Sequence, residues 1–283
     1  MNIGIFCHPG IDVVFLKEFV SFLKKSGHEV TIFGNALSEP EGRSQEPGEI
    51  IAHADLIVSV GGDGTFLRTA RYVGDKEKPI LGVHLGGLGF LADVSPENYK
   101  EKFTQYFAGD YKIEKRSVLA SKVRKNGKVE KFFAFNDFVV DKGSSLKMIK
   151  IKIFIDGEFL NTYRADGLIV STPTGSTAYN LSAGGPIIFP CLDVITINPI
   201  CPHTLSARPL VISDIQEIKV KLEDSKGTPF LSIDGQIKTE LDNRTEIIIQ
   251  KAEFHLKLVR LKEDSFFKTL RAKLNWGKDV RSN

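Results

Sequence analysis

The first hundred residues alternate apolar segments with amphipathic ones, and this pattern constrains the fold more than any other feature of the sequence. Strands are predicted over Asn2–Cys7, Glu29–Phe33, Leu56–Val60 and Ile80–His84. Helices are predicted over Asp12–Ser26 and Thr65–Val73, with a further helix beginning at Ser95. The polar segment Gly34–Gly48 reads as a loop. This rhythm predicts a parallel sheet covered by helices, with ligands at the carboxyl ends of its strands.

After Gly109 the alternation gives way to hairpin signals. Asn126-Gly127 and Asp156-Gly157 each separate two strand-like segments, and Asp234-Gly235 is a candidate for a third hairpin. We therefore predict an α/β + β fold. It has a Rossmann-like α/β domain over residues 1–110 and a β-sandwich-like all-β domain over residues 111–260. Residues 261–283 are expected to form a short helical segment that packs back on the first domain, rather than a helix on a membrane surface.

The overall composition excludes several classes of protein. Its 42% hydrophobic and 26% charged content is that of a soluble globular chain, and a net charge of +3 over 283 residues gives no reason to expect a nucleic-acid partner. No apolar run approaches the roughly 18 residues of a membrane span, and no signal peptide is expected. Cys7, Cys191 and Cys201 form no CxxC pair, which favours a reduced, cytoplasmic interior. No set of metal ligands is predicted.

The segment Gly61-Gly62-Asp63-Gly64 lies between a predicted strand and a predicted helix. Amides at such a turn suit phosphate oxygens, and glycine allows a ligand to approach the main chain. A Walker-type loop would carry a lysine here, but the nearest basic residue is Arg68. Asp63 therefore suits a group that accepts a proton from an attacking hydroxyl. A tight turn with a helix-capping aspartate explains the spacing equally well.

Two other stretches are candidates for ligand loops. Gly87–Ala92 fits the GxGxxA pattern, but no acidic residue ends a following strand at the expected distance. We interpret it as a glycine loop that lines the same cleft, and not as a dehydrogenase fingerprint. Arg164–Pro186 carries five hydroxyls within seven positions: Ser171, Thr172, Thr174, Ser176 and Thr177. Tyr179 offers a face on which a base can stack. We favour a ligand loop over a solvated Ser/Thr loop.

A further candidate is the pair Asn136-Asp137, which can hydrogen-bond ribose hydroxyls or a base edge. A simple turn or bulge is the alternative. Taken in order, GGDG, this pair, the string TPTGSTAYNLSAGGP and SIDGQ resemble the NAD kinase family over about residues 56 to 240. The long string is specific to that family, whereas GGDG alone is shared with lipid kinases and phosphofructokinases.

The resemblance implies a reaction and an architecture. The reaction is transfer of the terminal phosphoryl of ATP, or of polyphosphate in some members, to the 2′-hydroxyl of the adenosine ribose of NAD. A divalent cation, Mg²⁺, is expected to bridge the donor oxygens. The implied architecture is an α/β domain and a β-sandwich-like domain with the active site between them, in a homodimer or homotetramer assembled by the second domain.

Site residues also follow from the resemblance, by position. Asp63 matches the catalytic proton acceptor, and Gly61, Gly62 and Gly64 form the phosphate loop. The implied NAD or nucleotide contacts are Asp63, Gly64, Arg68, Asn136, Asp137, Lys147, Arg164, Asp166, Thr174, Thr177, Ala178, Tyr179, Asn180, Leu181, Ser182 and Gln236. Asp137 stands where the family usually has glutamate, so its carboxyl group reaches one methylene less far.

Two alternatives stay open at this stage. A lipid or sphingoid kinase would share the GGDG loop but would need an apolar acyl pocket, which the hydroxyl-rich segment 171–182 does not favour. A non-catalytic dinucleotide-sensing protein would have no use for a proton acceptor at Asp63.

Overall fold

The computed structural model describes residues 1–34, 46–224, 227–262 and 265–277. The chain divides into two compact units, one formed by Met1–Lys115 with Leu256–Asn283 and the other by Arg116–His255. Each unit is described by itself below.

The strands, in chain order, are β1 (Asn2–Cys7), β2 (Glu29–Phe33), β3 (Leu56–Val60), β4 (Ile80–Val83), β5 (Tyr111–Arg116), β6 (Leu119–Lys125), β7 (Lys128–Ala134), β8 (Asp137–Asp141), β9 (Ile149–Ile155), β10 (Glu158–Ala165), β11 (Gly167–Ser171), β12 (Val194–Ile200), β13 (Leu210–Ser213), β14 (Ile218–Asp224), β15 (Phe230–Ile233), β16 (Ile237–Glu240), β17 (Glu246–Lys251) and β18 (Leu256–Leu261). The α-helices are α1 (Val13–Lys25), α2 (Pro47–His53), α3 (Asp63–Val73), α4 (Tyr99–Phe107), α5 (Tyr179–Ser182) and α6 (Phe266–Leu274). Short 3₁₀ helices occupy Gly74–Lys76 and Thr174–Thr177.

A sheet in the order β2-β1-β3-β4-β18-β5 forms the centre of the first unit. The pairs β1–β2, β1–β3, β3–β4 and β4–β18 are parallel, which confirms the parallel α/β sheet predicted from the alternating pattern. Strand β18 comes from near the end of the chain and lies beside β4. The strand pattern of the first hundred residues did not predict this insertion.

Helix α1 contributes a fully buried aromatic side chain to the core of the first unit. It begins after Asp12, whose carboxylate accepts a hydrogen bond from the Val14 amide at 2.9 Å. Its apolar face includes Phe19, which has no exposed surface. The Phe19 ring meets the rings of Tyr99 and Phe103 edge-on, at centroid distances of 5.4 and 5.1 Å. The helix predicted over Asp12–Ser26 is confirmed.

Several boundaries differ from those predicted. Helix α3 begins at Asp63 rather than at Thr65, and β4 ends at Val83 rather than at His84. The helix expected to begin at Ser95 begins instead at Tyr99, because the Asn98 side chain accepts a hydrogen bond from the Ser95 amide at 2.8 Å and closes a turn there. The loop predicted over residues 34–48 falls mostly on residues 35–45, which lie outside the described residues. Its end was placed too late, since α2 begins at Pro47, a residue suited to a first helical position.

Two antiparallel six-stranded sheets make up the second unit, in the orders β10-β9-β14-β17-β6-β7 and β13-β12-β11-β8-β15-β16. Their buried aliphatic side chains form one core cluster, with Ile151 and Ile153 from one sheet and Val140 and Leu168 from the other. The predicted β-sandwich-like domain is thereby confirmed.

All three hairpin predictions are confirmed, at β6–β7, β9–β10 and β15–β16. The turn residues Asn126, Asp156 and Asp234 have φ of 50°, 50° and 49°, and a glycine with positive φ follows each. Left-handed backbone at both central positions is the geometry that Asn-Gly and Asp-Gly favour. Within the described ranges, no helix has the length and apolar character that a membrane span requires.

The packing of α1 makes a testable prediction for stability. Replacing Phe19 by alanine removes a fully buried ring and should lower the free energy of unfolding by about 3–5 kcal/mol. Val14→Ala on the same helix is the matched control, because that side chain is 65% exposed. The control should shift the unfolding free energy by no more than about 0.5 kcal/mol in chemical denaturation. Equal losses in the two variants would contradict this assignment of the core.

Candidate active site

The turn between β3 and α3 is closely packed at Gly61 and leads directly into the helix. Gly61 has φ of 153°, and a Cβ there would lie 2.5 Å from the Thr65 hydroxyl oxygen. Gly62 is the N-cap of α3, and Asp63 is the first helical residue. A Cβ on Gly64 would meet no atom within 4 Å. The first amides of a helix carry positive potential, so this turn has the electrostatics of an anion site.

The Asp63 carboxylate is held by main-chain donors from the loop after β4. Its Oδ2 accepts a hydrogen bond from the Phe90 amide at 3.0 Å, and its Oδ1 accepts one from the Leu91 amide at 3.2 Å. The contact is tight, because a Cβ on Gly89 would lie 2.2 Å from Oδ1. A carboxylate oxygen has two acceptor positions, so each oxygen can still accept a bond from a hydroxyl group. The half-buried Asp63 is thus a preoriented acceptor.

Arg68, one helical turn later, donates from Nη2 to the Cys7 carbonyl at 3.0 Å. It lines a cavity of about 250 Å³ at the carboxyl ends of β1 and β2. The other lining residues are Cys7, His8, Pro9, Phe33, Gly34 and Tyr72. Burial raises the pKa of the Cys7 thiol to about 12, an effect that the nearby Arg68 charge only partly offsets. The thiol is therefore protonated at neutral pH and is a poor nucleophile.

His8 is a site candidate that the sequence interpretation did not identify. Its Nδ1 accepts a hydrogen bond from the Gly10 amide at 3.0 Å. A neutral imidazole in this arrangement carries its proton on Nε2 and can donate it to an oxygen of a ligand. Its position directly after the first strand, where ligands of parallel sheets bind, was the signal that could have identified it.

In the second unit, one carboxylate joins two motifs that are about a hundred residues apart. Asp234, in the β15–β16 turn, accepts hydrogen bonds from the Phe135 amide at 3.0 Å and from the Asn136 amide at 2.7 Å. The Asp137 amide lies 3.3 Å from the same oxygen. The SIDGQ turn therefore fixes the Asn136-Asp137 pair, and the structure brings these two predicted motifs together.

A cavity of about 400 Å³ opens beside this junction. Four of its lining residues were predicted from sequence: Asn136, Asp137, Ala178 and Tyr179. The others are Val139, Asp141, Phe230, Ser232, Asp234, Gly235 and Lys238. Several of these additional residues alternate along paired strands, since Phe230 lies opposite Asp141 and Ser232 opposite Val139. Alternation at every second position of β8 and β15 is the signal that could have identified them.

Asp137 is the most perturbed acid in this cavity. Its pKa is raised to about 7, first because burial removes the carboxyl group from water and second because of the Asp234 charge. The side chain is only 4% exposed. A proton therefore occupies this carboxyl group over most of the acidic range, and the group loses it near neutral pH.

The hydroxyl-rich segment after β11 turns its hydroxyls largely inward. Thr172 donates to the Phe135 carbonyl at 2.7 Å, and Ser176 donates to the Pro173 carbonyl at 2.6 Å. Thr174 accepts a bond from Arg116 at 3.4 Å. These bonds attach the segment to its neighbours, so several of the hydroxyls that suggested a ligand loop stabilise the protein instead.

Asn180 is likewise an interior residue, with no exposed surface. Its side-chain amide donates to the Ser176 and Pro186 carbonyls at 3.3 and 3.2 Å, and its oxygen accepts from Asn198 at 3.1 Å. The side chain thus shapes the turn that carries Tyr179, a residue that is 45% exposed.

The remaining predicted contacts are more accessible. Asp166 forms an ion pair with Lys142 at 2.7 Å. Lys147, Arg164, Ser182 and Gln236 are exposed, and Thr177 and Leu181 are half-buried. None of these residues lines the cavity beside Asp137. In the part of the chain that the structure describes, no three His, Cys, Asp or Glu side chains converge as metal ligands would.

Comparison with known proteins identifies the family. The family model of the ATP-NAD kinase N-terminal domain matches residues 3–111, and that of the ATP-NAD kinase C-terminal domain matches residues 135–261. An NAD kinase of Bacteroides fragilis is 45% identical over 272 residues, which cover 96% of this chain and 90% of the relative. One from Geotalea daltonii is 44% identical over 230 residues, covering 81% of each chain.

Solved structures agree with this result. Yeast NADH kinase complexed with NADH has a TM-score of 0.88 at 29% identity and covers 100% of this chain and 90% of that chain. An NAD kinase from Archaeoglobus fulgidus in complex with ATP has a TM-score of 0.77 at 30% identity and covers 97% and 99%. The chain belongs to the NAD kinase family, as its motifs predicted, and it is a kinase that acts on NAD. The lipid-kinase and sensor alternatives are set aside.

The raised pKa of Asp137 predicts a pH dependence of stability. An unfolded aspartate ionises near its ordinary pKa of 3.8, whereas the folded one ionises near 7. Between these values the folded state binds more protons, so this residue makes stability fall as pH rises. In Asp137→Asn that contribution is absent. Its unfolding free energy relative to the wild type should therefore rise by about 1–3 kcal/mol between pH 5 and pH 8. Parallel pH profiles of the two proteins in urea denaturation would contradict the assignment.

Proposed function

We propose that this chain transfers the terminal phosphoryl of ATP to the 2′-hydroxyl of the adenosine ribose of NAD, giving NADP and ADP. The observation that carries the proposal is the Asp63 carboxylate at the start of α3, oriented by the Phe90 and Leu91 amides. Family membership supports NAD as the acceptor, and the relative solved in complex with ATP supports ATP as the donor. Polyphosphate is the alternative donor, and an assay with polyphosphate in place of ATP distinguishes the two.

In the proposed mechanism, Asp63 orients the 2′-hydroxyl and receives its proton. Phosphoryl transfer passes through a loose transition state, so alignment of the attacking oxygen and neutralisation of charge supply most of the rate. The hydrogen bonds from the Phe90 and Leu91 amides fix the direction in which the free acceptor positions of the carboxylate point. Gly61, Gly62 and Gly64 are proposed to let phosphate oxygens approach the main chain closely, although the Gly61 amide itself donates to the Val83 carbonyl at 2.8 Å.

We propose that residues of the second unit bind the dinucleotide. Tyr179 is suited to stacking on a base because nearly half of its surface is exposed. Asn136 and Asp137 line the 400 Å³ cavity and offer polar atoms for ribose hydroxyls. Asn180 is proposed to act indirectly, by shaping the turn that carries Tyr179. The other proposed contacts of this unit are Lys147, Arg164, Asp166, Thr174, Thr177, Ala178, Leu181, Ser182 and Gln236. Arg68 is a proposed contact that belongs to the first unit.

The cation of the reaction is proposed to arrive with the donor. The described residues offer no cluster of ligands that fits a resident metal ion. Mg²⁺ bound to ATP phosphates keeps several waters and needs few protein ligands. It supplies charge neutralisation for the donor oxygens.

We further propose a homodimer or homotetramer in the cytoplasm. All three cysteines are free thiols, as a reducing compartment favours. Leu205 and Ile215, on either side of the edge strand β13, are 93% and 85% exposed, and contact with a second copy of the chain would cover them. Light scattering should give two or four times the chain mass of 31.4 kDa. A mass of a single chain at micromolar concentration would contradict the proposal.

Asp63→Asn tests the role of the carboxylate. A carboxamide has one oxygen acceptor, so it can satisfy only one of the two amides and cannot receive the hydroxyl proton. We expect kcat to fall by about 10²–10⁴-fold, the range typical of a lost general base. Binding of NAD, measured by calorimetry, should stay within a few-fold of the wild type.

Asp75→Asn is the matched control, because that carboxylate belongs to the same unit and is 71% exposed beside Lys76. It should leave kcat and the unfolding transition unchanged. Near wild-type kcat in Asp63→Asn would remove this residue from the mechanism.

A further inference from the structure

Phe90 lies at the centre of a chain of contacts that ends at Asp63. Its amide donates to the Asp63 carboxylate at 3.0 Å, while its carbonyl accepts a hydrogen bond from Arg260 Nη2 at 2.8 Å. Its ring also packs against Phe266 of α6, with a centroid distance of 6.4 Å. Phe90 is therefore held through its amide by the proposed proton acceptor. Its carbonyl and ring are held by Arg260 of β18 and Phe266 of α6.

Arg260 lies in β18 and is 7% exposed. Its Nη1 pairs with the Asp93 carboxylate, and its Nε lies 3.6 Å from the Glu114 carboxylate. The guanidinium thus joins three oxygens of the first unit: the Phe90 carbonyl and the two carboxylates. Such an arrangement requires the planar fork of arginine, because a lysine ammonium is a single point charge on a flexible stem.

The loop has little room to adjust around Asp63. The space beside Gly89 is closed, since a Cβ there would lie 2.2 Å from Asp63 Oδ1. A displacement of the Phe90 peptide would therefore lengthen its bond to Asp63 or push the loop into the carboxylate. Misplacement of a reacting group by about 1 Å can cost on the order of 10²-fold in rate.

We propose that Arg260 is a positioning residue for the phosphoryl transfer: it holds the Phe90 peptide so that the Phe90 and Leu91 amides orient the Asp63 carboxylate. Arg260 acts through the loop, by its hydrogen bond to the Phe90 carbonyl. The inference rests on the proposed role of Asp63. The inference gives β18, a strand from near the end of the chain, a role in forming the active site.

Arg260→Lys tests the proposal, because it keeps the charge that faces Asp93 but cannot reach all three oxygens. We expect kcat to fall at least ten-fold, with the KM values for NAD and ATP changing by less than about two-fold, since the reacting geometry is lost and substrate contacts are kept. Lys257→Met is the matched control on the same strand. It removes an ion pair with Glu77 (3.2 Å) that does not touch the loop, and it should leave kcat and KM unchanged.

A second measurement does not depend on turnover. Hydrogen exchange at the Phe90 and Leu91 amides should accelerate at least ten-fold in Arg260→Lys and stay at the wild-type rate in Lys257→Met. If the wild-type protein fails to phosphorylate NAD, the proposed function falls, while the exchange rates still decide whether Arg260 holds the loop. Unchanged exchange in a folded Arg260→Lys variant would overturn the inference.

The Asp63→Asn background separates positioning from general stability. If Arg260 acts through Asp63, Arg260→Lys should cause little further loss of kcat once the carboxylate is gone. An undiminished loss in that background would overturn the inference, and so would a wild-type kcat in Arg260→Lys alone. Should Arg260→Lys fail to fold, Asp93→Asn weakens the same anchor and should give a smaller fall in kcat with unchanged KM; no fall would also overturn it.

Discussion

The hydrogen bonds from the Phe90 and Leu91 amides to the Asp63 carboxylate depend on the order of the strands in the sheet. The proposed chemistry depends in turn on these two hydrogen bonds. Strands β3 and β4 are adjacent and parallel, so the segments that leave their carboxyl ends emerge at the same edge of the sheet. One segment starts a helix with an acid, and the other offers amides to it. Neither segment could orient a carboxylate alone. An antiparallel arrangement of the same strands would send the two segments to opposite edges.

The second unit uses the same device with different elements. Asp234 occupies a left-handed turn position, and its carboxylate accepts main-chain hydrogen bonds from Phe135 and Asn136, which connect β7 to β8. These bonds lock the entry to β8 and place Asp137 where water is largely excluded. The consequence is electrostatic, because the pKa of the Asp137 carboxyl group is raised to about 7 by burial and by Asp234. The turn that carries Asp234 thus also contributes, after burial, to the raised pKa of a residue in the cavity.

How far the sequence predicted this structure depended on whether the cause was local. Asn126-Gly127 and its two counterparts predicted hairpins correctly because left-handed backbone is a steric property of the dipeptide itself. Helix α3 begins at Asp63, two residues before the predicted Thr65, but the glycine turn ahead of it was predictable from its own residues. The place of β18 beside β4 was not, since nothing near residue 256 encodes a partner near residue 80. The inward-facing hydroxyl of Thr172 was also missed, because its acceptor is the carbonyl of Phe135.

Side-chain motifs identify the acidic residues of such a site, but they do not identify the hydrogen-bond donors that orient the carboxylates. The donors to Asp63 are main-chain amides, which every residue but proline carries, so no residue type marks Phe90 or Leu91 as partners. The sequence can show only where a residue without a side chain leaves room for these amides to approach the carboxylate. Gly89 has no side chain, and this is the condition for the loop to approach the carboxylate. A glycine of this kind is constrained by a neighbour far away in the chain. The sequence therefore predicted that the Gly87–Ala92 loop lines the cleft, but not that Gly89 lies against Asp63.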